Sequence, residues 1–151
     1  MTVHLKQEIE KLYEEDYVLW LEQTAEQIRH KDIDNLDWQH LLEEIEDLGK
    51  SQKNAVESYL RQLLKHLLLY QYWTQERDYS GDGWAEEIDN FRNELEILLD
   101  SKTLYNYAAS ILEAIYQKAR RSAFNKTKLD IFPAECPYTL EQVLDIDYLP
   151  E

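Results

Sequence analysis

WQHLLEEIEDLGKSQKNAVESYLRQLLKHLLLYQYW, residues 38–73, reads as helix almost throughout and holds nearly every side chain that could do chemistry. Trp38, Leu41, Ile45, Leu48, Gln52, Ala55, Val56, Tyr59, Leu60, Leu63, Leu67 and Tyr70 recur mostly at steps of three and four, so they fall on one slowly drifting face. That stripe is expected to be a core-facing seam. Gly49 is the only interruption: LGKS could be a C-terminal glycine followed by a serine cap, splitting the stretch in two. The stripe keeps its phase across Gly49, however, and a glycine inside a helix costs only about 1 kcal/mol relative to alanine. A continuous or gently kinked helix is the expectation.

The rest of the chain agrees with a helical protein. Its 151 residues suit one domain that can bury a core without staples, and only 3 Gly and 3 Pro interrupt it. Tyr13, Tyr17, Trp20, Leu21, Thr24 and Ile28 predict a first amphipathic helix that ends at RHKDIDN, after which Asp34 or Asp37 can cap the long stretch. RDYSGDG, carrying the other two glycines, reads as a loop. Trp84, Ile88, Phe91, Leu95 and Leu98 then form a seam suited to bundle packing, and after DSKT a further helix turns Leu104, Ala108, Ile111, Ile115 and Ala119 inward before fraying near Asn125. In IFPAECPYTLEQVLDIDYLPE the prolines around Cys136 force extended or turn geometry, while Tyr138, Leu140, Val143, Leu144 and Tyr148 are too apolar to be left in water. This tail reads as a strap with one short helix, Leu140 to Asp145.

With 31 acidic against 16 basic residues the formal charge is -15, which disfavours broad binding to nucleic acid or anionic membranes. Lys118, Arg120, Arg121, Lys126 and Lys128 form one basic run, whose simpler reading is a helix C-terminus complementing its own dipole. One cysteine permits no internal disulfide and fits a reducing compartment. The N-terminal stretch alternates charged with apolar residues and resembles neither a signal peptide nor a membrane span. A cytoplasmic location is expected.

DYVLWLEQTAEQIR, LLEEIEDLGKS, LRQLLKHLLLYQYW and FPAECPYTLEQVLDIDYLP together resemble the bacterial domain-of-unknown-function family 29 over nearly the whole chain. The resemblance implies a compact helical domain of bacterial origin and supplies no activity, substrate or catalytic residue. The family's EEIE and LLxHLL signatures fall here on Glu43, Glu44, Ile45 and Glu46, and on Leu63, Leu64, His66, Leu67 and Leu68.

Three chemistries can be set against simpler structural readings. Glu43, Glu44, Asp47 and His66, with His40 as a possible addition, could ligate a divalent metal, but the chain lacks the paired Glu-x-x-His motifs of helical di-metal proteins. Arg61 and His66 form an R-x4-H string similar to the motif of the HEPN superfamily of helical ribonucleases, in which such a pair acts on the RNA 2′-hydroxyl and phosphate at a dimer interface. A helical wheel separates the two by about 140°, which places Arg61 toward solvent and leaves His66 beside the apolar stripe as a structural histidine. Cys136 lies between Glu135 and a proline and reads as a packed thiol. Tyr70, Tyr72, Trp73, Tyr79 and Trp84 flank the RDYSGDG segment, where they would either mark a partner surface or close the end of the bundle.

The sequence thus leads to an all-α fold: a single helical bundle of four or five helices over residues 1–151, with a C-terminal strap and short helix. Residues 1–12 are expected to fray and 130–151 to pack on the bundle. The expected function is a non-enzymatic interaction or accessory protein of the bacterial cytosol without a cofactor, meeting a protein partner or a second copy of itself. Candidate binding residues are Tyr72, Trp73, Tyr79 and Trp84. The alternative is a helical hydrolase using His66, metal-dependent with Glu43, Glu44 and Asp47 or ribonuclease-like with Arg61.

Overall fold

In a computed structural model, which describes residues 2–151 and the side chains from Leu5 onward, every regular element is helical. The described residues form two compact units, one ending at Lys50 and one covering Ser51–Glu151.

The first unit contains α1 (Thr2–Glu15), α2 (Tyr17–Arg29), a 3-10 turn (Ile33–Asn35) and the opening turns of α3 (Trp38–Tyr72). The single amphipathic helix expected around Tyr13 to Ile28 is therefore two helices. Asp16 leaves helical geometry at φ -152°, and its carboxylate accepts from Leu19 N, so it caps α2. The apolar spacing keeps its phase across Asp16 and gives no sign of the break. Helix α2 ends with Lys31 in the left-handed region at φ 57°; Asp32 N donates to Gln27 O and Lys31 N to Ile28 O, the two bonds of a Schellman ending. Ile9, Trp20, Thr24, Leu36 and Asp37 are buried in this unit.

Helix α3 runs unbroken through Gly49, where nothing lies near enough to crowd a side chain. The seam expected along it holds only in part. From Val56 onward the aliphatic positions are buried and Tyr59 and Tyr70 partly so, whereas Trp38, Ile45, Leu48 and Gln52 are exposed. Helical periodicity specifies a face; it does not specify that the face has been covered.

The second unit packs the remainder of α3 with α4 (Thr74–Leu98), α5 (Lys102–Thr127) and α6 (Leu140–Leu144). Val56, Leu60, Leu63, Leu64, Leu67 and Leu68 of α3 share one core with Ile88 and Leu95 of α4 and Ala108, Ile115, Tyr116 and Ala119 of α5. A break at Trp73 separates α3 from α4. The RDYSGDG segment, expected as a loop, lies wholly inside α4. Gly81 is there for close packing, since a Cβ at this position would stand 3.0 Å from Arg77 Cγ. Arg77 in turn is held by donating Nη1 to Tyr70 O at 3.1 Å. Ser101 caps α5, and Lys128 closes it in the left-handed region at φ 60°.

The tail docks as expected. Phe132, Tyr138, Leu140 and Val143 join the core, and a capping box between Thr139 and Gln142 starts α6. Tyr116 OH donates to Pro133 O at 2.6 Å and Gln117 Nε2 to Ala134 O at 2.7 Å. Arg92 is buried on α4 and donates Nε to Val143 O and Nη2 to Gln142 O, so a cation meets the negative end of α6.

Candidate functional site

Polar side chains concentrate in the first unit around Asp37. Its carboxylate caps α3 by accepting from His40 N at 3.3 Å, and it also accepts from Trp20 Nε1 at 3.1 Å and His40 Nδ1 at 2.6 Å. The His40 ring stacks on Tyr13 with centroids 3.9 Å apart. Tyr13 and Tyr17 then donate their hydroxyls to the two oxygens of Glu44 at 2.6 and 2.5 Å. These bonds hold the Glu44 carboxyl below its usual range, and the same bonds push both phenols upward.

The Asp37 carboxylate fixes the orientation of the His40 ring through Nδ1 and leaves Nε2 turned away from it, the arrangement found where a histidine serves as a general base. No serine, threonine or cysteine hydrogen-bonds His40 among the described residues. The network's hydrogen bonds and ring stack form a staple that joins α1, α2 and the start of α3.

The staple leaves the opposite side of α3 uncovered. Trp38, Leu42, Ile45 and Leu48 are 51%, 57%, 60% and 67% exposed, on three successive turns. Trp38 and Leu41 also line an apolar groove of about 350 Å³ with Ile28, Ile33 and Leu36. Glu46 stands exposed beside this face, while Glu43 and Asp47 lie on the staple side near Tyr13 and Tyr17, and residues 1–50 carry 14 acidic against 5 basic side chains.

The family model for a domain of unknown function, DUF29, matches residues 12–149. The chain belongs to the DUF29 family. No curated protein and no solved structure matches it.

In this DUF29 chain the residues singled out from sequence are dispersed. Glu43, Glu44 and Asp47 lie in the first unit and His66 in the second. Both Glu44 oxygens already accept phenol hydrogens, and among the described residues no three His, Cys, Asp or Glu gather to hold a metal ion. His66 is half-buried against Phe91, and its Nδ1–H donates to the backbone oxygen of Gln62 at 2.7 Å. Burial, with Lys65 and Lys126 nearby, lowers its pKa against the opposing effects of that bond and of Glu87. Arg61 is exposed and no hydrogen bond joins it to His66.

The aromatic set of the DUF29 chain also divides. Trp84 is buried and stacks on Trp73 at 5.8 Å, while Tyr72 is half-buried edge-on to Phe132. Tyr79 alone of the four is largely in solvent. Cys136 is half-buried, its N–H donates to Glu113 and its thiol to Tyr138 O, and burial raises its pKa.

From sequence alone Asp37 reads as a cap and His40 as an accessory ligand. The signal that joins them is the D-x-x-H spacing at a helix start, which places the ring of the third helical residue back over its cap.

Proposed function

We propose that this protein is a non-enzymatic helical docking protein of the bacterial cytosol, which uses the exposed apolar face of its strongly acidic first unit to receive a cationic amphipathic helix of a partner. The exposure of Trp38, Leu42, Ile45 and Leu48 is the observation that carries this reading. With the adjoining groove they make one exposed apolar surface, and large exposed apolar patches tend to be functional. The spacing of the four matches the ridge that a helix lays against a helix. The partner's sign follows from the acidic excess of the first unit, because an acidic body repels a second acidic copy and attracts a basic partner.

The single cysteine suits a reducing interior, and no helix among the described residues is long and apolar enough to cross a membrane.

Fluorescence anisotropy with a labelled synthetic helix, leucine along one face and lysine on the other, tests the assignment. Wild-type protein should bind it at least tenfold more tightly than Ile45→Glu protein, and more tightly than it binds a scrambled peptide of equal composition. Equal binding by both proteins, or to both peptides, would reduce the interaction to bulk charge and overturn the reading. Sedimentation showing a dimer that Ile45→Glu dissolves would assign the face to a second copy instead.

A further inference from the structure

The second unit carries a concentration of cations that the chain's acidic composition does not lead one to expect. On α3, Arg61 and Lys65 are one turn apart; on α5, Lys118 and Arg121 are one turn apart, with Lys126 further along. None of the five makes an ion pair or hydrogen bond among the described residues. Arg61, Lys118, Arg121, Ser122 and Asn125 line a recess of about 390 Å³. Every one of these side chains can donate a hydrogen bond, and no carboxylate is among them. Glu57, in the adjoining smaller recess that shares Arg61 and Lys118, is already engaged by Tyr107 OH at 2.6 Å.

Like charges that form no ion pair repel one another, and Lys65 registers the effect. Its pKa is lowered by burial and by the neighbouring charges of Lys126 and Arg61. An anion in the recess would relieve that repulsion.

We propose that this recess is a binding site for a small, soluble phosphate-bearing ligand, held by the guanidinium groups of Arg61 and Arg121 with Lys118, Ser122 and Asn125 as further donors. Two planar forks and an ammonium match the oxygens of a phosphate or diphosphate group. The absence of an apolar side chain from the lining argues against a peptide, which needs an anchor to bury. The net charge of -15 argues against a long polyanion, whose distant charges would meet acidic surface. A ligand no larger than the screening length of about 8 Å feels the recess alone. The site is independent of the docking face.

Isothermal titration of the full chain with inorganic pyrophosphate, at about 50 mM and about 300 mM salt, tests the proposal. Saturable one-to-one binding is expected, weaker at the higher salt. Arg61→Gln/Arg121→Gln protein should bind at least tenfold more weakly, and Lys118→Gln protein measurably so, while Lys102→Gln protein should bind as wild type does. Arg61, Lys118 and Arg121 lie at the surface or its edge, so circular dichroism should show all the variants folded, and the single variant stands as an independent check. No saturable binding, equal affinity in the recess variants, or preference for a polyglutamate peptide or for vesicles containing phosphatidylglycerol over pyrophosphate would overturn it.

Discussion

The indole Nε1 of Trp20 donates to the Asp37 carboxylate at 3.1 Å, which joins the first turn of α2 to the residue that caps α3. Removing this carboxylate strands a buried indole N–H and the His40 ring nitrogen, and it deletes a helix cap. Asp37→Ala should therefore cost about 2–4 kcal/mol in urea unfolding. Asp37→Asn keeps an acceptor and should cost less. Equal, small losses for both would show that the staple is not holding the first unit together.

The three glycines should respond differently to alanine. Gly49 and Gly83 are exposed inside helices, with nothing within 4 Å of where an added methyl would stand, so Gly49→Ala and Gly83→Ala should each stabilise by about 0.5–1 kcal/mol. Gly81→Ala must displace Arg77, which is anchored on Tyr70 by a hydrogen bond and by lying over its ring. It should lose stability despite the same gain in helix propensity. A gain at Gly81 as large as at Gly49, read from denaturant midpoints, would show that Arg77 is free to move.

His66 makes stability depend on pH in one direction. Its folded pKa lies below the ordinary 6.5, chiefly through burial, so the unfolded chain binds the proton more readily. Its contribution is complete above pH 6.5 and is lost as pH falls through the lower folded value. His66→Gln should flatten the decline in stability below pH 6.5, measured as the difference between variant and wild type at each pH. Parallel profiles would show that the ring is solvated in the folded protein.

Deleting everything after Asp130 removes Phe132, Tyr138, Leu140 and Val143 from the core, each worth about 1.5–3 kcal/mol. It also strands the buried Arg92 guanidinium. That sum is comparable with the whole stability of a small domain, so the truncated chain should lose its cooperative transition or aggregate. An unchanged midpoint would mean that the strap is not docked.

The helical class and the inward seams of α4 and α5 were legible because they depend on local spacing alone. Other features depended on what the tertiary structure does with that spacing. Trp38, Ile45 and Leu48 follow the same period as Leu60, Leu63 and Leu67, and only packing distinguishes the uncovered turns from the covered ones. The glycines of RDYSGDG signalled a loop, but one of them serves helix packing in α4. Arg92 gave no sign of being buried, because its partners are backbone carbonyls 50 and 51 residues further on. The basic recess was half visible as the run from Lys118; its other side, Arg61, arrives only when α3 and α5 are brought together.

Cys136 turns the docked tail into a measurable clock. Its thiol is half-buried, bonded to Tyr138 O and kept protonated by burial, so an alkylating reagent meets little thiolate while the strap is seated. Labelling should therefore quicken when the strap lifts, and when closing is fast the opening route contributes the opening equilibrium multiplied by the reactivity of a free thiol. A single native side chain thus reports how often the C-terminal segment leaves the helices, without any probe being added to the protein.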